Sequence, residues 1–169
     1  MTHVSLNKGE RDFVKDIQQA YEAKVFDGYD IYLLRNLTGQ GAVGVFIDGG
    51  FNPDFILWLV KGDEQKVIFI DPKGLLHHKP EDPKVRFFQT IKDIEADLRK
   101  QNPANNHIEL HAFLVSGTHS STLISQWKDS NGDPVTRELL DSWNILFRNE
   151  EQDAYIGKLV KKVEGTVGA

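Results

Sequence analysis

The chain has no cysteine, which excludes disulfides and thiolate zinc sites and makes a reducing compartment the expected setting. No apolar run approaches the ~18 residues of a membrane-spanning helix, and Met1-Thr2-His3-Val4 does not open a signal-peptide core. The expectation is a cytoplasmic protein without a membrane segment. Cations are in the minority, 20 Lys and Arg against 25 Asp and Glu, for a net charge of -5. That balance disfavours a nonspecific nucleic-acid coat, whose surface must neutralise phosphates. It leaves a metal-dependent nuclease open, because bound Mg²⁺ reverses the local charge of its acidic ligands. No repeat, low-complexity tract or interdomain linker is visible.

What is present is a 169-residue chain, 40% hydrophobic, enough for one domain with a real core. Apolar residues at Phe13, Val14, Ile17, Ala20 and Tyr21 predict a helix over 8–24. Strands are predicted over 30–35 and 42–47 around the turn Thr38-Gly39-Gln40-Gly41, and a hairpin over 51–60 and 66–72 around Lys61-Gly62-Asp63-Glu64. Val85, Phe88, Ile91, Ile94 and Leu98 predict a second helix over 85–99, followed by a strand over 108–115. Two further helices are expected over 136–147 and 151–163. The order is that of a single α/β domain over 1–169, with a core of about 8–118 and a helical extension of about 119–165.

Chemistry concentrates at the ends of the predicted hairpin. Asp71 and Lys73 share a strand face, with Pro72 between them pointing the other way. With Val60 opposite Lys66, Asp54 falls opposite Pro72; a shift of one residue brings it opposite Asp71 or Lys73. Two neighbouring carboxylates repel unless a cation lies between them, and hard oxygen ligands suit Mg²⁺. The Pro72 backbone carbonyl is a candidate further ligand, and Lys73 a candidate to orient water or neutralise developing charge. Glu10 lies on the apolar stripe of the first helix, where it reads either as a site carboxylate or as the N3 member of a capping box with Asn7.

Other signals are weaker. Gly39-Gln40-Gly41-Ala42-Val43-Gly44 matches a dinucleotide fingerprint but runs into strand-like Val45-Phe46-Ile47 instead of a helix. His77-His78 and Ser116-Gly117-Thr118-His119 read as polar loops, the latter a candidate phosphate contact through Thr118. Trp58 and Trp143 read as core; Trp127 is the aromatic nearest to solvent, a candidate to stack on a base, with packing the favoured reading.

Pro53-Asp54 followed by Asp71-Pro72-Lys73 resembles the PD-(D/E)xK nuclease superfamily. Tyr32-Leu33-Leu34-Arg35-Asn36, Phe51-Asn52-Pro53-Asp54-Phe55 and Phe69-Ile70-Asp71-Pro72-Lys73-Gly74 narrow the resemblance, which covers about 10–118. They are similar to the C-terminal endonuclease domain of type III restriction subunits and related DEAD/DEAH-box helicase proteins. The resemblance implies a restriction-endonuclease-like core, a central mixed β-sheet flanked by helices. It implies Asp54 and Asp71 as metal ligands, Lys73 as the catalytic lysine and Glu10 as the acid of the first helix, acting directly or through water. Mg²⁺ is the implied cofactor, with Mn²⁺ substituting, and DNA the implied substrate. Gln89 falls where some relatives carry an active-site Gln or Lys, although their tyrosine four residues on is Asp93 here. No Gly-x-x-x-x-Gly-Lys-Ser/Thr loop and no Asp-Glu-x-Asp/His box occurs, so an ATP motor is not expected within this chain. It reads as a stand-alone nuclease or a domain excised from a longer helicase-type protein, with a homodimer as one route to double-strand cutting. The rival readings are a non-cleaving nucleic-acid-binding or docking module with the same fold, and an RNA nuclease.

Overall fold

A computed structural model describes residues 5–36, 52–151 and 154–165. Helix α1 (Lys8–Glu22) begins at a reciprocal cap: Asn7 Oδ1 accepts from the Glu10 N–H at 2.9 Å, and Glu10 Oε2 accepts from the Asn7 N–H at 2.8 Å. Strand β1 (Asp30–Arg35) follows, then β2 (Phe55–Lys61) and β3 (Glu64–Lys73). The predicted strand over 42–47 and its glycine-rich turn lie outside the described residues.

The β2–β3 hairpin closes with Lys61 opposite Glu64, its two-residue turn placing Gly62 at φ +60°, a conformation that favours glycine. Val60 therefore pairs with Gln65, one residue off the expected Lys66. Helix α2 (Pro83–Gln101) starts with proline at its first position, where no N–H is needed. A 3₁₀ turn (Pro103–His107) leads into β4 (Ile108–Ser116), so α2 is the crossover that a parallel β3–β4 pair requires.

The remainder departs from expectation. Helix α3 (Ser120–Gln126) was not anticipated, and the single helix expected over 136–147 is two elements, α4 (Arg137–Ser142) and β5 (Ile145–Phe147). Asn144, at φ +55°, ends the helical path, and its carbonyl accepts from the Leu114 N–H at 3.0 Å, docking β5 parallel to β4. Helix α5 (Tyr155–Glu164) closes the described chain.

The fold is α/β: one mixed five-stranded sheet in the order β1-β2-β3-β4-β5, antiparallel through β3 and parallel beyond, flanked by helices. One apolar core joins α1 and α5 to the sheet through Phe13, Ile17, Leu57, Ile68, Phe113 and Leu159. Phe87 and Ile91 of α2 cover Ile56, Val67, Phe69 and Ala112 in another. A third gathers α3 and α4 around Leu75, Leu114, Trp127 and Trp143. Trp127 is buried, as the packing reading has it: its ring sits 6.5 Å from that of Trp143. Among the described residues no helix is long and apolar enough to cross a membrane.

Candidate active site

The parallel pair ends at Lys73 opposite Ser116, and the hairpin's other limb begins at Phe55, so one end of the sheet collects the predicted charges. Continuing the β2–β3 register by one residue sets Asp54 opposite Asp71, on the same face. Backbone contacts hold Asp54 there. Asn36 donates its N–H to the Asp54 carbonyl at 2.8 Å and its side-chain Nδ2 to the Pro53 carbonyl at 3.0 Å. Phe55 packs against Phe13 of α1 with ring centroids 5.0 Å apart, tying this corner to the core.

Asp71 is fully buried, and neither of its oxygens accepts a hydrogen bond of good geometry. Its compensation is charge: Lys84 Nζ lies 2.7 Å from Oδ2 and Lys73 Nζ 3.8 Å from the same atom. The Lys84 contact has the length of a hydrogen bond without its direction, and it is an ion pair.

The carboxyl of Asp54 is pushed up to about 6, first by burial and then by the Asp71 charge beside it, with Lys73 pulling the other way. Burial lowers Lys84, against the pull of Asp71. Burial also opposes the charge on Lys73, but Lys84, Asp71 and Asp54 together outweigh it and its ammonium is raised. Two lysines beside one carboxylate are thus driven in opposite directions.

Asp54, Pro72 and Lys73 line a cleft of about 460 Å³, together with Asn7, Gly9 and Asp12 of the α1 start, Ser116 and Gly117 after β4, and Arg148 and Asn149 after β5. The volume falls within the range of small-ligand sites. Lys73 is exposed and lines the cleft, while Asp71 is fully buried and does not.

The other expected residues are placed differently. Glu10 is buried, and its Oε2 both completes the cap of α1 and pairs with Arg35 at 2.9 Å, so the capping-box reading holds. Its charge still reaches Asp54, as one of the terms that raise that carboxyl. Gln89 is exposed on α2, outside the lining of the cleft. Thr118 is buried; its hydroxyl accepts from the Leu75 N–H at 3.0 Å and pins the loop after β3 to the loop after β4.

Lys84 was not anticipated, although a signal existed. It stands in the first turn of α2 directly after Pro83, where the helix dipole disfavours a cation, and that turn contains no acid. The ion pair with Asp71 offsets that cost.

Among the described residues, no group of three or more His, Asp or Glu is arranged to hold a metal ion. Asp54 and Asp71 are the carboxylates paired across the sheet end, with Asp12 also lining the cleft. Mg²⁺ dehydrates reluctantly and is commonly held by one or two carboxylates while keeping several waters, so two suffice for it. Asp71 Oδ1 has neither a hydrogen bond nor an ion pair, and Asp54 is raised by burial and then by the Asp71 charge, so a further cation at this pair would be favoured.

No protein-family model matches this chain, and no curated protein or solved structure does.

Proposed function

We propose that the chain is a metal-dependent endonuclease domain that hydrolyses DNA phosphodiester bonds, the cleavage part of a restriction- or helicase-type system. The observation that carries this reading is the Asp54–Asp71 pair at the sheet end, Asp54 raised by burial and then by the Asp71 charge, and Asp71 fully buried beside it. Asp54 and Asp71 would hold Mg²⁺ or Mn²⁺, with the Pro72 carbonyl as a further oxygen donor. When bound, the cation supplies Lewis-acid polarisation of a phosphate and acidifies water.

The chain's own groups do the rest. Lys73 presents its ammonium to the cleft, where it neutralises charge developing on a phosphate under attack or orients the incoming water. Its raised affinity for the proton suits a fixed cation better than a general base. Asn36 fixes the Pro53–Asp54 backbone, and Glu10 fixes α1 and Arg35 while adding negative charge near Asp54. Double-strand cutting would need two such sites, hence a dimer or paired complexes, and a helicase region would deliver the substrate.

One observation favours a second reading, a docking module that does not cut: Lys84 already supplies Asp71 with a cation at 2.7 Å. Cleavage of supercoiled DNA separates the two. Cutting that requires Mg²⁺ or Mn²⁺, is abolished in Asp71→Asn, and falls by about 10²–10³ in Lys73→Ala is the expected result. Metal-dependent cutting retained by both variants overturns the assignment.

A further inference from the structure

Arg148 lines the same cleft as Lys73 but comes from the other side of the sheet, one residue beyond β5. It is held from behind. Its Nε donates to Asp16 Oδ2 at 2.6 Å and its Nη2 to Asp16 Oδ1 at 3.3 Å, a side-on clamp. Asp16 is buried in α1 and accepts a further bond, 2.6 Å, from the hydroxyl of Tyr155, which is completely buried. Burial and then Asp16 push the Tyr155 phenol up, so it remains a donor to that carboxylate.

The clamp uses two of the five N–H donors of a guanidinium and leaves the Nη1 edge pointing away from Asp16. On that side the nearest acid is Asp12, with Oδ2 3.7 Å from Nη1, too far for a hydrogen bond, and Asp12 also lines the cleft. An arginine oriented by a buried Tyr–Asp pair, with its Nη1 edge in a cleft and held there only by the longer ion pair to Asp12, is preorganised to receive an anion.

We infer that Arg148 binds a phosphate of the DNA strand flanking the scissile one, with Asp16 and Tyr155 as its positioning residues. The inference rests on reading this cleft as a DNA-processing site. Register sets the spacing: Lys73 lies opposite Ser116, and Ser116 opposite Phe147, so Arg148 starts two strand separations from Lys73, roughly 10 Å. That separation suits a neighbouring phosphate, not the one under attack.

The test is fluorescence anisotropy of a labelled DNA duplex with the full chain in Ca²⁺, read as a function of salt. Arg148→Gln is expected to weaken binding roughly tenfold and to reduce the salt slope by about one ion. Tyr155→Phe, which keeps every charge, weakens binding by a smaller factor at unchanged slope. Asp12→Asn removes the competing acid and tightens binding, and this gain disappears in the Arg148→Gln background. A wild-type chain that does not bind the duplex, or an Arg148→Gln chain with native circular dichroism and an unchanged slope, overturns the inference. If Arg148→Gln does not fold, Asp12→Asn decides, and unchanged binding there overturns it. The two proposals fail separately. Arg148-dependent binding without cleavage in Mg²⁺ or Mn²⁺ removes the nuclease reading alone, whereas cleavage with an Arg148-independent slope removes this subsite alone.

Discussion

Lys84 Nζ stands 2.7 Å from Asp71 Oδ2, nearer than the 3.8 Å of Lys73, the lysine that shares the strand and the sequence motif with Asp71. A fully buried carboxylate is therefore balanced chiefly from the first turn of α2. Removing one partner of a buried pair strands the other charge, at a cost of about 3–5 kcal/mol. Lys84→Met should lower metal-free stability by an amount of that order in chemical denaturation, and Mg²⁺ should restore a larger share of it than it adds to wild type. An unchanged metal-free stability would show that Asp71 does not depend on Lys84.

Asp54 gives a pH signature. Its folded value of about 6 lies above its ordinary 3.8, so the folded state binds the proton more tightly. Its contribution to stability is full below the ordinary value and is lost as pH rises from 3.8 through about 6. His111 runs the other way: burial, then the Lys92 charge, lower it from 6.5 to about 4, so stability falls as pH drops across that range. Asp54→Asn should raise the metal-free melting temperature at pH 8 relative to wild type and lose that advantage near pH 4. His111→Gln should flatten the acid limb without altering the alkaline one. Thermal unfolding of the two variants across pH checks both signs.

Asn36 is the residue on which the position of Asp54 depends. Asn36→Ala leaves the buried Pro53 carbonyl without its side-chain donor, which costs about 1–3 kcal/mol. The metal-induced rise in melting temperature should shrink as well, because Asp54 is no longer fixed opposite Asp71. A destabilised variant that keeps the full metal response would confine Asn36 to packing.

Glu10→Gln separates the two roles expected of Glu10. Glutamine can still complete the capping box with Asn7, while the charge toward Arg35 is lost. Since its Oε2 is committed to the cap and to Arg35, cleavage by this variant should stay within a few-fold of wild type. Loss of activity on the scale of Asp71→Asn would place Glu10 in the reacting centre instead.

Much of the central sheet was legible because its determinants are local. Apolar runs on either side of Lys61-Gly62-Asp63-Glu64 gave the hairpin to within one residue of register, and the apolar stripes of α1 and α2 gave the two main helices. The β5 strand was not legible: three buried residues after the apolar Leu139, Leu140 and Trp143 continue a helical-looking pattern, and only Asn144 marks the break. That Trp127 packs was legible, but its neighbours, Trp143 and Leu123 among them, were not, because they come together only through tertiary packing. The carboxylate pair followed from the motif and the register. Lys84 did not, because its partner lies across the sheet-helix interface, thirteen residues away in sequence by the numbering.

The most direct test of the Asp54–Asp71 site is a metal titration followed by thermal unfolding, with wild type and Asp54→Ala side by side at pH 8. At a hundredfold excess over the dissociation constant, Mg²⁺ or Mn²⁺ should raise the wild-type melting temperature by roughly 5–10 °C and leave Asp54→Ala unmoved. A wild-type chain that does not respond, or an Asp54→Ala chain that responds equally, contradicts a metal site at the end of the β2–β3 hairpin.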